Sequence, residues 1–253
     1  MIGCRAIFNS GANVKNAIAI AATALLSIVS VFSPVATAPG AIAAETAGAP
    51  KVVTAGPFAS PQGLQISIRA EGPATRETAL QIACFFKYEG ANDVMIGGTA
   101  AFDEKMGGLV KHLRESGKFG GNLAEVLVLD PPTGTVPAKK LLLMGLGDRK
   151  TFDAARMRVI GRAAVREAIK AGVVEFSMSP NVTDAGVTTV AVGDFDKQLV
   201  AGVLDGLAIQ QDLHKSGLVP AVVLKEFALE AGAKNIAAAE EAVKGAIAES
   251  ESR

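Results

Sequence analysis

The sequence predicts a single α/β domain, and three observations carry that prediction. Apolar runs of strand length, Ala79–Phe86 and Leu141–Met144 above all, alternate with segments whose apolar residues recur at helical spacing. Lys139–Lys150 followed by Asp153–Ala171 reads as a strand, a tight turn and a helix in direct succession. After Gln62, no Pro- or Gly-rich linker divides the chain into two cores.

The first 43 residues are expected to lie outside that domain. Arg5 and Lys15 are the only charges before Glu45, and an Ala-rich apolar run extends from Ala17 to about Val35. Ala41-Ile42-Ala43 offers an A-x-A cleavage site, and Ala36-Thr37-Ala38 a second. The pattern predicts a signal peptide over 1–43 and an exported protein, periplasmic or extracellular, with no membrane attachment after cleavage. An uncleaved anchor is the alternative, but Pro34, Pro39 and Gly40 interrupt the run. Residues 44–62, rich in Ala, Pro, Gly and Ser, read as a flexible leader.

The domain is then expected over 63–249, with a polar tail at 250–253. Leu64, Ile66 and Ile68 alternate with Gln65, Ser67 and Arg69, the pattern of a strand with one wet face. Ala79–Phe86 is apolar apart from Gln81 and reads as a central strand; Cys84 within it is expected to be a buried thiol. Asp103 is placed to cap one helix running to Gly117, carrying Met106, Leu109, Val110 and Leu113 on one stripe. Gly107 and Gly108 inside that helix cost it roughly 1 kcal/mol each against alanine. Glu125–Leu129 reads as a strand, Pro131-Pro132 as a turn, and Lys139–Met144 as the central strand, buried on both faces, with Gly145 and Gly147 at its exit.

Asp153 is a candidate N-cap, with Phe152 and Met157 spaced as a hydrophobic staple. Met157, Ile160, Ala164, Val165, Ala168 and Ile169 are expected to form the buried face of that helix, with Gly172 ending it. Val173–Met178 and Val187–Val192 suggest two short strands. Asp194 is placed to cap a helix with Leu199, Val203 and Leu207 inward; Val219–Phe227 reads as a further strand, and Asn235 caps a last Ala-rich helix.

Composition excludes several function classes. Removing residues 1–43 leaves 23 Lys and Arg against 25 Asp and Glu, a net charge of about −2, which is not a nucleic-acid footprint. Only Cys84 would remain, so neither an intramolecular disulfide nor a thiolate metal cluster is expected. His112 and His214 form no metal-binding pair, and no G-x-S-x-G elbow occurs. Gly145-Leu-Gly147 lacks the further residues of a dinucleotide fingerprint or a P-loop. No catalytic residue, metal site or cofactor is expected. The only candidate ligand contacts are glycine-rich stretches that could offer backbone N–H groups: Gly145 and Gly147, Gly97 and Gly98, Gly107 and Gly108.

Three stretches occur in an order that points to a family: Phe102-Asp-Glu-Lys-Met-Gly-Gly-Leu-Val-Lys-His-Leu with Ser116-Gly-Lys-Phe-Gly-Gly; Ala138–Lys150 with the helix after it; and Asp194–Leu207 ending at Ile209–Lys215. Together they resemble the N-terminal domain of the leucyl aminopeptidase (M17, cytosol aminopeptidase) family, with the aromatics of its closing motif lost. The resemblance implies a macro-domain-like three-layer fold, a mixed sheet with helices on both faces, that takes part in oligomer assembly. It also implies that metal ligands belong to a separate catalytic domain, whose motifs are absent here. Asn181–Gly186 contains Thr-Asp-Ala, but Gly186 stands where a bridging glutamate is needed, so it reads as a turn. The expectation is a non-catalytic domain acting in assembly or regulation, as a homo-oligomer or with a separate aminopeptidase-type chain. The alternatives are a subunit or remnant of a metal-dependent aminopeptidase, or a macro-like module for ADP-ribose or a nucleotide.

Overall fold

The computed structural model describes residues 54–253. The signal peptide expected over 1–43 lies outside the described residues. One seven-stranded mixed sheet organises the rest, with strand order β1-β2-β7-β6-β3-β5-β4. Its strands are β1 (Thr54–Ala59), β2 (Gln65–Arg69), β3 (Gln81–Phe86), β4 (Val126–Leu129), β5 (Leu141–Gly147), β6 (Glu175–Ser179) and β7 (Glu226–Glu230). The five inner strands run parallel, and β1 and β4 close the two edges antiparallel.

Alternation divides the core. Ile82, Cys84 and Phe86 of β3 and Leu142, Met144 and Leu146 of β5 face the helices α3 (Arg156–Lys170), α4 (Val192–Lys215) and α5 (Ile236–Glu251). Ala83, Phe85, Leu141 and Leu143 face α1 (Gly97–Lys105) and α2 (Leu109–Glu115). All residues of β3 and β5 are buried, as their unbroken apolar runs require. Among the described residues no helix is long and apolar enough to cross a membrane.

Five expectations are corrected. Part of the expected leader, Thr54–Ala59, is strand β1: Pro57 and a bulge are tolerated because this is an edge. The single helix expected from Asp103 to Gly117 is two, because Gly107 (φ 67°) and Gly108 (φ 77°) adopt left-handed conformations that cannot continue a right-handed helix. Asp103 nonetheless caps: it is buried in α1, and its Oδ1 accepts from the backbone N–H groups of Val110 (2.8 Å) and Lys111 (3.2 Å), opening α2. Val187–Val192 is no strand; Val187 packs into the core and α4 begins at Val192. The strand expected over Val219–Phe227 is shifted to Glu226–Glu230. Finally β5, expected to be central, is next to the edge; it is buried because β3, β4 and both helix layers enclose it.

Candidate functional site

The parallel strands all end at one rim of the sheet, where open α/β sheets place ligand crevices. A cleft of about 290 Å³ lies there, over the ends of β2, β6 and β7. Glu71 and Gly72 approach it after β2, Ser179 ends β6 with Asn181 and Asp184 after it, and Glu230 ends β7 with Gly232 after it. A recess of about 30 Å³ shares Asn181, Glu230 and Asn235 with the cleft and is lined on its other side by Asp196 of α4.

The sheet's character changes under this cleft. Register places Gln81 beside Ser177, and Ser177 beside Ala228, so Gln81, Ser177, Ser179 and Glu230 share one face. This is the face that α1 and α2 cover over β3 and β5. Over Ser177 the chain instead lays down Arg76, whose Nε donates to Ser177 Oγ at 3.2 Å and whose guanidinium lies 3.7 Å from Glu71. Glu230 is buried; its Oε2 accepts from Gln81 Nε2 at 3.0 Å, and its Oε1 has no partner among the described residues. Burial raises the Glu230 pKa to about 8, against smaller lowering effects from the Gln81 hydrogen bond and the Arg76 charge. Asp196 is buried deeper, neither carboxylate oxygen finds a partner among the described residues, and burial alone lifts it to about 8. Both groups therefore hold protons at neutral pH in the unliganded protein, and each can donate a hydrogen bond or, once ionised, face a cation.

Asn181 shapes the turn after β6. It takes a left-handed conformation (φ 54°), accepts from Ser179 Oγ at 2.6 Å and donates to the Cys84 carbonyl at 3.2 Å. The 3₁₀ turn Thr183–Ala185 follows, as its reading as a turn anticipated. Asp184 in it reaches α1: its Oδ2 accepts from Thr99 N–H (3.0 Å) and Thr99 Oγ1 (3.3 Å).

The structure does not gather the six glycines into one site. Gly97 and Gly98 open α1 beside the cleft, but a Cβ on Gly97 would stand 2.9 Å from Asp184 Oδ1, so the protein's own carboxylate occupies the position an anion would take. Gly145 lies beneath the 121–123 segment, where a Cβ would meet the Asn122 carbonyl at 1.9 Å, and Gly147 turns the chain at φ 77°. Gly107 and Gly108 form the corner between α1 and α2, with open space around them. Among the six, only Gly98 lines the cleft. The sequence reading did not single out Glu230 or Asp196. The available signal was a carboxylate closing Phe227-Ala-Leu, and another on the stripe completed by Leu199, Val200 and Val203. Among the described residues no group of three or more His, Cys, Asp or Glu converges as a metal cluster.

Residues 84–207 match the model of the cytosol aminopeptidase family, N-terminal domain. A probable cytosol aminopeptidase from Geotalea uraniireducens is 30% identical over 131 residues, 50% of this chain and 24% of the relative. One from Alkaliphilus metalliredigens is 32% identical over 78 residues, 31% of this chain and 15% of the relative. The matched region thus spans under a quarter of these relatives' length. In fold, the chain is similar to a macrodomain variant from Oceanobacillus iheyensis: TM-score 0.56, 12% identity, covering 81% of this chain and 98% of that one.

Proposed function

We propose, on the premise that this chain carries an N-terminal domain of the cytosol aminopeptidase family, that it is an exported, non-catalytic assembly domain that pairs with a second copy of itself through the β4 edge of the sheet. The asymmetry of the two sheet edges carries the reading. At β1, Pro57 offers no N–H and a bulge breaks the register, which blunts pairing. At β4, nothing comparable interrupts Val126–Leu129, and Val126 and Val128 are exposed together with the neighbouring Leu123. The sheet outruns its helix layers there: Leu127 and Leu129 reach the core, but the alternate face of β4 is bare. An antiparallel β4–β4 pair would cover the exposed Val126 and Val128 of both copies.

Sedimentation velocity over a range of concentrations tests this. The chain is expected to dimerise reversibly, and Val126→Lys with Val128→Lys to give a monomer with an unchanged circular dichroism spectrum. A wild-type chain that stays monomeric, or a dimer that survives both lysines, overturns the pairing. Co-purification with an aminopeptidase-type chain would replace the second copy as partner. Hydrolysis of leucyl p-nitroanilide that depends on Mn²⁺ and is lost on chelation would overturn the non-catalytic reading. Export is supported by the apolar run after Lys15. Mass spectrometry of the exported protein is expected to find its N-terminus near Ala44.

A further inference from the structure

We infer that the cleft over the ends of β2, β6 and β7 binds a small organic cation, whose primary ammonium group is received by Glu230. Position comes first. The cleft lies at the rim where the parallel strands end, and Glu230 and Ser179, which both line it, share one face of the sheet. At about 290 Å³ it is at the small end of ligand pockets, sized for a metabolite rather than a chain segment. Glu230 is only 5% exposed, yet its Oε1 has no hydrogen-bond partner among the described residues. A buried polar oxygen left unpaired is unfavourable, and a ligand entering the cleft can relieve it.

The polarity around Glu230 decides the class of ligand. Gln81 donates its Nε2 to Glu230 Oε2 and to the Ile82 carbonyl, while its Oε1 is buried without a partner among the described residues. Glu71 Oε2, at the cleft wall, accepts no hydrogen bond from them either. With Glu230 ionised, these acceptors outnumber the one unfilled donor nearby, Arg69 Nε, so the complementary ligand brings N–H groups. Charge narrows it further. Arg69, beside Glu230 in the β2–β7 register, reaches Glu71 at 3.8 Å, and Arg76 lies 3.7 Å from the same carboxylate. Asp184 accepts from the Thr99 N–H at the start of α1. Lys234 lines the cleft but is exposed. Glu230 is thus the lining carboxyl without an ion pair or a helix start to balance it; the Arg76 charge acts on it, and Glu71 opposes that effect. One such carboxyl calls for a single positive charge, and an ammonium brings one charge with three donors. An anionic ligand would instead meet three carboxyl groups and gain one exposed lysine. The raised Glu230 pKa adds a signature: an arriving ammonium displaces the carboxyl proton, so binding tightens as pH rises towards about 8.

The test is calorimetric titration of the full chain with n-butylammonium chloride, with n-butanol and sodium butyrate as neutral and anionic counterparts. One saturable site per chain is expected for the ammonium at millimolar concentration, and none for either counterpart. Between about pH 5 and 7 its affinity should rise about tenfold per pH unit, with a proton released to the buffer. Glu230→Gln, which keeps the shape of the protonated side chain, should weaken binding by at least about tenfold and flatten that dependence, while Glu104→Gln, an exposed control on α1, leaves both unchanged. Circular dichroism checks that each variant folds. No saturable uptake of the ammonium, an affinity in the wild type that does not change with pH, or binding that survives Glu230→Gln in folded protein overturns the proposal. Equal affinity for n-butanol also overturns it, as does preferential binding of butyrate or ADP-ribose, which would make the cleft an anion site.

Discussion

Asp196 and Glu230 both titrate at about 8 because burial penalises their ionised forms. Each folded pKa lies above its unfolded value near 4, so between roughly pH 4 and 8 the folded chain holds protons that the unfolded chain has released. Stability therefore falls as pH rises through that window and levels off above it. Urea melts should show this decline, and Asp196→Asn should flatten it and stabilise the protein at about pH 8. Melts of wild type and variant with equal slopes against pH would contradict the assignment. Asp184 makes a second prediction: Asp184→Ala removes the carboxylate from the start of α1 and should cost about 1 kcal/mol in a denaturant melt. None of these roles was legible from residue type. A carboxylate on an apolar stripe reads as a slightly imperfect stripe until the fold shows that α4 turns that position against the end of β7.

At the scale of elements, the crossing of α3 and α4 depends on two reciprocal glycines. A Cβ on Gly161 would stand 2.2 Å from the Leu199 carbonyl, and one on Gly202 would stand 2.2 Å from the Arg158 carbonyl. Both contacts are to backbone, so neither can be relieved by a rotamer change. Gly202→Ala should destabilise the domain by about 1–3 kcal/mol by forcing the helices apart, as a shift in the urea midpoint would show. Propensity alone predicts the opposite sign, since alanine is the better helix former. The apolar stripes of α3 and α4 were readable because their period is local. The close crossing was not, because it depends on residues about 40 apart. The same division explains the strands. β3 and β5 were visible as apolar runs, whereas β7 was misplaced because its bounds are set by β2 and β6, not by its own alternation. The break between α1 and α2 was written in Gly107-Gly108, a pair better read as a corner than as a costly helix interior.

Across the whole molecule, one ion cluster ties three helices and the C-terminus. Asp205 of α4 accepts from Arg158 Nε (2.8 Å) and Arg162 Nη2 (2.6 Å) of α3 and from Arg253 Nη1 (2.6 Å), while Arg158 also reaches Glu249 of α5 (2.9 Å). Burial alone would raise the Asp205 pKa, but the two α3 arginines outweigh it and hold it at about 2. Its folded pKa is below its unfolded one, so its stabilising contribution is complete above about pH 4 and is lost as pH falls towards 2. Asp205→Asn should lower stability at neutral pH by on the order of 2 kcal/mol and make the acid-unfolding curve shallower. An unchanged curve would mean the cluster is solvated and weak. The two sheet edges bear on the molecule as a whole in another way. With one edge blunted by Pro57 and its bulge, the sheet has a strand-pairing valence of one. Any strand added at β4 uses up the one unblunted edge among the described residues, and when the added strand is another copy's β4 both copies' open edges are used at once. Growth by strand addition then terminates at two chains, so a bare apolar edge is available for pairing without a route to a fibre.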